Sequence, residues 1–192
     1  MKRTVTRSLC WKPTWNKTGL GLEHVLLGDG FADSTLVALS EENRPFRLNY
    51  QLRWDDTWHL QEASLVARSH RFERSLTLRT DGRGQWRDEQ ERPLARLDGC
   101  LDIDIWPTPF TNTFPIRRQR LQVGERREFR MAWVSAPALT VKAQLQAYTR
   151  LADRTYLFES LDGSGFKVKL QVDANGVVLD YPAFFKRVPK QN

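Results

Sequence analysis

The sequence predicts an all-β protein: a single antiparallel, strongly curled sheet or β-barrel of about a dozen strands, with little helix. Three observations lead there. Apolar residues recur with period two in segment after segment, where an amphipathic helix needs 3.6. Turn signals rich in Gly, Asp and Asn punctuate those segments at regular spacing. No Pro/Gly/Ser-rich linker and no repeat divides the 192 residues, so one domain over residues 1–192 is expected, with one sizeable core. So many strands strain one flat sheet; curling or closing it manages the edges.

Taken in order, the first strand expected is residues 20–27, followed by the turn signal Gly28-Asp29-Gly30 and an apolar-rich run at 35–39. Residues 46–54 form the cleanest strand. Phe46, Leu48, Tyr50, Leu52 and Trp54 share one face, while Arg47, Asn49, Gln51 and Arg53 share the other. Strands are expected at 63–68 and 72–79, with Asp81-Gly82 and Gly84 marking a hairpin into 85–87. Beyond the central stretch, 127–134 alternates, and Pro137 separates it from 139–151. There, Leu139, Val141, Ala143, Leu145 and Ala147 oppose Thr140, Lys142, Gln144, Gln146 and Tyr148. A helix competes in that run, but strict alternation favours a long strand. Residues 155–161, 166–172 and 177–181 follow, divided by Asp162-Gly163-Ser164-Gly165 and Asp173-Ala174-Asn175-Gly176. The tail from Pro182 has room for one helical turn around Phe184 and Phe185.

The chemically dense stretch is residues 97–118, LDGCLDIDIWPTPFTNTFPIRR. Leu101, Ile103 and Ile105 alternate with Asp102 and Asp104, and the polar face extends back to Cys100 and Asp98. Asp102 and Asp104 then have Cα atoms about 7 Å apart. Like charges at that spacing need a cation, an arginine or water, and Arg117 and Arg118 are the nearest candidates. From Pro107 to Pro115 three prolines argue against regular structure. That part reads as a stiff polar loop carrying Thr108, Thr111, Asn112 and Thr113.

Charge and composition set outer bounds. The net charge is +7 and the pI about 9.7, which suits acidic partners. The arginines are scattered and form no polybasic tail, so a nucleic-acid partner is not expected. Mean hydropathy is −0.56, and no apolar run approaches the ~20 residues of a membrane helix. Lys2 and Arg3 imitate the start of a signal peptide, but no apolar core follows, and Cys10 lacks a lipoprotein context. A cytoplasmic address is the expectation. Two cysteines, Cys10 and Cys100, fit a reducing compartment and leave one disulfide open.

The central segment resembles the signature of a bacterial family of glycolipid-binding proteins, long known only as a domain of unknown function. Further pieces agree in order along the chain. They are Gly21-Leu22-Glu23-His24, the run from Tyr50 to Trp58, Gly84-Gln85-Trp86, Gln146 to Thr149, and Asp173 to Pro182. Trp54 stands where the family often has a cysteine. The resemblance implies a barrel-like fold similar to lipoprotein carriers of the bacterial envelope, with an apolar hollow. It also implies binding of a glycolipid or similar amphiphile. Those carriers are exported, whereas this chain shows no export signal.

The expected role is therefore a non-catalytic amphiphile binder. The apolar part of the ligand lies in the hollow and its polar head near residues 98–118. The ligand-binding candidates are Asp98, Asp102, Asp104, Thr108, Thr111, Asn112, Thr113, Arg117, Arg118 and Trp86. The alternative is a hydrolase or isomerase acting on a sugar-like or lipid substrate, with Asp102 and Asp104 as the acid/base pair. Glycosidases place such carboxyls about 5 to 9.5 Å apart. The acids also admit a structural reading as an internal ion-pair network with Arg117 and Arg118. The Thr/Asn loop reads either as a sugar or phosphate site or as self-capping of backbone that prolines interrupt. No metal or cofactor is expected, since His24, His59 and His70 are isolated and no calcium loop, CxxC, Walker loop or dinucleotide fingerprint occurs. Cys100, next to acids, reads as a buried structural thiol.

Overall fold

The computed structural model describes residues 4–15 and 19–189; Lys2 and Arg3 lie outside the described residues. The two-residue rhythm becomes fourteen strands. The first seven are β1 (Val5–Pro13), β2 (Leu22–Gly28), β3 (Phe31–Leu39), β4 (Pro45–Trp54), β5 (Leu60–Arg68), β6 (Glu73–Thr80) and β7 (Trp86–Arg87). After β8 (Asp102–Trp106) comes one short helix, α1 (Thr113–Gln119). The remaining strands are β9 (Arg126–Ser135), β10 (Thr140–Ala152), β11 (Thr155–Ser160), β12 (Lys167–Val172), β13 (Val178–Tyr181) and β14 (Phe185–Arg187).

All fourteen belong to one sheet, in the order β7-β6-β5-β4-β3-β2-β1-β14-β13-β12-β11-β10-β9-β8. Two meanders meet where β1 pairs with β14 through Trp11 opposite Arg187. Strand pairing leaves two ends, so the sheet is not a closed barrel. It is curled all the same, because residues near its two ends meet. Arg74 on β6 donates to the carbonyl of Pro137 beyond β9. At the seam, Gly99 N–H donates to the Gly84 carbonyl at 2.9 Å, and Trp86 Nε1 donates to the Cys100 carbonyl at 2.7 Å. A Cβ on Gly84 would lie 2.9 Å from the Cα of Gly99, and its φ is +100°, so glycine permits this approach.

β4 follows its sequence pattern: Phe46, Leu48, Tyr50, Leu52 and Trp54 are buried while Arg47, Gln51 and Arg53 are exposed. Turns form at Asp29-Gly30 and through the Asp162 and Asp173 signals. Elsewhere the structure departs from the sequence reading. β1 was not anticipated, although Leu9 and Trp11 alternate and are buried. The tail at Phe184 and Phe185 turns and enters β14 instead of forming a helical turn, because β1 offers an edge to pair with. One strand pair, β8 with β9, is parallel, the exception in an otherwise antiparallel sheet. On β10 the inward side chains include the polar Gln146 and Tyr148, while Thr140 and Lys142 on the same face are exposed. Gln144 and Gln146 stand opposite Met131 and Phe129, and Leu145 is left exposed.

The proline-rich stretch is the main correction. It contains a 3-10 turn at Phe110–Asn112 and runs directly into α1. Pro115 lies in the first turn of α1, where a missing N–H costs nothing. This segment is an inner plug rather than a surface loop. Phe110 and Phe114 are fully buried and meet Trp54 at ring-centroid distances of 6.3 and 5.4 Å. Together with Trp11, Tyr50, Trp86 and Tyr148 they form the large-residue core. Each such burial contributes roughly 1.5–3 kcal/mol.

Candidate functional site

The site is built from β8 and what faces it. By register Asp102 and Asp104 stand beside Met131 and Trp133, while Ile103 and Ile105 stand beside Ala132 and Val134. Ile103 and Ile105 are fully buried on their face, and Asp102 is fully buried on the other. Its charge is met by a fork: Arg118 Nε and Nη2 donate to the two carboxylate oxygens at 3.0 and 2.6 Å. Burial pushes the Asp102 carboxyl up, and the Arg118 guanidinium pulls it back down.

Among the described residues no cation pairs with Asp104. Its carboxylate accepts from Gln146 Nε2 at 2.6 Å and Thr111 Oγ1 at 3.1 Å. Burial raises its pKa, against the pull of those two hydrogen bonds. Gln146 is buried, and its Oε1 has no hydrogen-bond partner among the described residues.

Asp104 and Gln146 line a cavity of about 1440 Å³. Its walls combine aromatic rings, including Trp15, Trp106, Trp133, Phe46, Phe158 and Phe166, with serines and charged side chains. The rings support one another: Trp15 and Trp106 lie 5.5 Å apart, as do Trp106 and Phe184, and Phe158 and Phe166 are 6.0 Å apart. Exposed residues of the β3–β4 and β5–β6 loops, among them Glu42, Arg44 and His70, complete the lining and open one side to solvent. This exceeds the roughly 300–1,000 Å³ of ordinary small-molecule sites. Flat apolar rings with polar groups between them suit a ligand that is part hydrocarbon and part sugar.

Of the ten residues singled out from sequence, the structure brings only Asp104 to this cavity. Arg117 sits elsewhere, with its guanidinium 4.9 Å from the Trp58 ring centroid. Asp98 is exposed near the seam, and Trp86 is buried there. Thr108, Thr111, Asn112 and Thr113 are buried in the plug. Thr108 Oγ1 meets both oxygens of Glu23 at 2.7 and 2.8 Å, and Asn112 Oδ1 accepts from Tyr148 Oη at 2.8 Å. Two of the hydroxyls cap backbone: Thr108 Oγ1 accepts the Phe110 N–H at 3.0 Å and Thr111 Oγ1 the Ile105 N–H at 3.2 Å, whereas Thr113 Oγ1 is buried with no partner among the described residues. Arg118 is used by Asp102, so the ion-pair network holds for that pair and not for Arg117. Asp102 is sealed against Arg118 and does not line the cavity, so of the two carboxylates expected as an acid/base pair only Asp104 reaches it.

Sequence reasoning missed Gln146 and Glu23. Glu23 is fully buried and accepts from Ser34, Tyr50 and Thr108. Burial pushes it up to about 7, with those hydrogen bonds pulling the other way. The signal was its place in the inward set with Val25 and Leu27. Cys10 and Cys100 are free thiols, and burial pushes Cys100 up to about 11. Among the described residues, no three His, Cys, Asp or Glu side chains converge as metal ligands. No helix there is long and apolar enough to cross a membrane.

A rolled sheet around a hollow lined in part by aromatic rings, with a carboxylate and a carboxamide at its wall, defines the class of this mostly-β protein. The comparisons make this specific. The chain belongs to the family described as "Putative glycolipid-binding", whose model matches residues 8–187. It is also similar to the crystal structure of a DUF1089 family protein from Pseudomonas aeruginosa. The identity is 50% and the TM-score 0.86, over 88% of this chain and 92% of that one. No curated protein matches the chain.

Proposed function

We propose that this protein binds a glycolipid or similar amphiphile without transforming it. The apolar part of the ligand lies against the aromatic walls, and its polar head reaches Asp104 and Gln146. The observation that carries this reading is a half-buried carboxylate bonded to a buried carboxamide, set among aromatic rings in a hollow of about 1440 Å³. Sugar C–H faces pack on such rings, and hydroxyls donate to a carboxylate that pairs with no cation among the described residues. The family's description supports the same ligand class.

Calorimetric titration with dodecyl maltoside below its micellar concentration tests the proposal, alongside native mass spectrometry of the purified protein. Saturable binding of the glycoside, with maltose alone and dodecanoate binding more weakly, is the expected result. An absence of binding for every alkyl glycoside, with no lipid carried through purification, would overturn it.

A further inference from the structure

The plug leads out of the interior at the far end of α1, and there the arginines gather. A second hollow of about 320 Å³ lies between α1, the end of β10 and the β12–β13 turn. Four of its lining residues are Arg117, Arg120, Arg150 and Arg154. Two aspartates are present, and both are engaged. Asp173 is paired with Arg7 and Arg187, and its other oxygen accepts the backbone N–H groups of Asn175 and Val177. Asp153 is bridged by Arg150 at 2.9 Å, with Arg154 at 3.7 Å. Six arginines therefore face two aspartates.

Several groups in this hollow have donors to spare. Arg117 has no carboxylate among the described residues; it lies over Trp58 and makes one long bond, 3.4 Å, to the Asn175 carbonyl. Burial, then Arg120 and Arg7, pushes its pKa down from the ordinary value. Arg150 is anchored through Nη1 to the Leu121 carbonyl at 2.8 Å, yet its Nε is buried with no partner among the described residues. Arg120 caps α1 with φ +48°, a position where glycine or asparagine is usual. An arginine there is strained relative to glycine, and its side chain lines the hollow. Gly176 lets the turn close in: a Cβ there would lie 3.2 Å from Arg117 Cδ.

We propose that this hollow is a second binding site, distinct from the aromatic cavity, for a phosphate or phosphoryl group held by Arg117, Arg120, Arg150 and Arg154. Forked guanidinium donors match the oxygens of a tetrahedral oxyanion. The volume falls at the small end of ligand sites, right for a phosphate ester and too small for a nucleic-acid strand. Both hollows adjoin the same face of β11, since Tyr156 lines this one and Phe158 the other. The phosphate can belong to a soluble ester or to a lipid headgroup.

The test uses the full chain with inorganic phosphate, pyrophosphate and glucose 6-phosphate in calorimetry, and phosphatidylglycerol vesicles in flotation. Arg120→Ala and Arg154→Ala remove exposed side chains and leave the fold intact, as circular dichroism will confirm. Each is expected to weaken phosphate binding roughly tenfold, about 1.4 kcal/mol, and binding weakens as salt is raised. Dodecyl maltoside affinity stays the same in both variants. Binding of soluble esters identifies a free phosphate compound as the ligand, whereas flotation alone, lost in the double variant, identifies the lipid headgroup. No saturable phosphate and no flotation, or phosphate affinity unchanged in the double variant, overturns the proposal. So does a parallel loss of dodecyl maltoside binding, since the two hollows would then be one site.

Discussion

Thr108 and Glu23, 85 residues apart in sequence, are joined by a hydroxyl that spans both carboxylate oxygens. The bond ties the inner plug to β2 on the opposite wall, and Tyr50 on β4 shares the same carboxyl at 2.6 Å. Because burial lifts Glu23 to about 7 from an ordinary 4.5, this tie is a source of pH dependence. Between those values the folded chain holds a proton that the unfolded chain has released. Its contribution is therefore fully present below about pH 4.5 and is lost as pH rises to about 7, an effect on the order of 3 kcal/mol. Glu23→Gln is expected to flatten that slope in urea denaturation at a series of pH values, and to melt higher than the parent at pH 8.

The sealed pair of Asp102 and Arg118 behaves differently. Arg118→Ala leaves a buried carboxylate unpaired and is expected to cost about 3–5 kcal/mol. Adding Asp102→Asn should return part of that loss. Chemical denaturation of the parent, both single variants and the double variant measures it; additive losses would show that the pair does not act as a unit.

At the aromatic cavity, Asp104→Asn removes the charge and keeps the shape. Its affinity for dodecyl maltoside is expected to fall roughly tenfold, the value of one charge-assisted hydrogen bond. Dodecanoate, lacking the sugar, should lose nothing. Competition calorimetry on the two ligands separates the polar contribution from the apolar one.

At the seam, Gly84→Ala forces a Cβ to within 2.9 Å of Gly99 and places alanine at φ +100°. A loss of at least about 1–2 kcal/mol is expected from the backbone alone. Hydrogen exchange at the Gly99 amide, which the Gly84 carbonyl protects in the parent, should accelerate more than exchange in the middle of β4.

The fold was legible wherever one face met water and the other the core, as in β4, because burial enforces a two-residue period. It was illegible where both faces are covered. β8 shows acids on one side and isoleucines on the other, yet Asp102 is as fully buried as Ile103 and Ile105, and no local pattern reveals that. β10 misled for a related reason: its Gln146 and Tyr148 turn inward to serve Asp104 and Asn112. Pro107, Pro109 and Pro115 looked like a loop because proline stops helices in their middle; here Pro115 opens one. The acids of residues 98–118 were the right place to look, but the partners that divide their roles, Gln146 for Asp104 and Glu23 for Thr108, come from strands 42 and 85 residues away.

The join between β1 and β14 at the middle of the strand order has a consequence for synthesis. β1 is made well before its partner on that side, which begins at Phe185. At roughly 5–20 residues per second, the nascent meander of β1–β7 waits on the order of ten seconds with a bare backbone edge. Such an edge recruits other chains. Until β14 pairs with it, that edge is the part of the growing sheet most open to another strand.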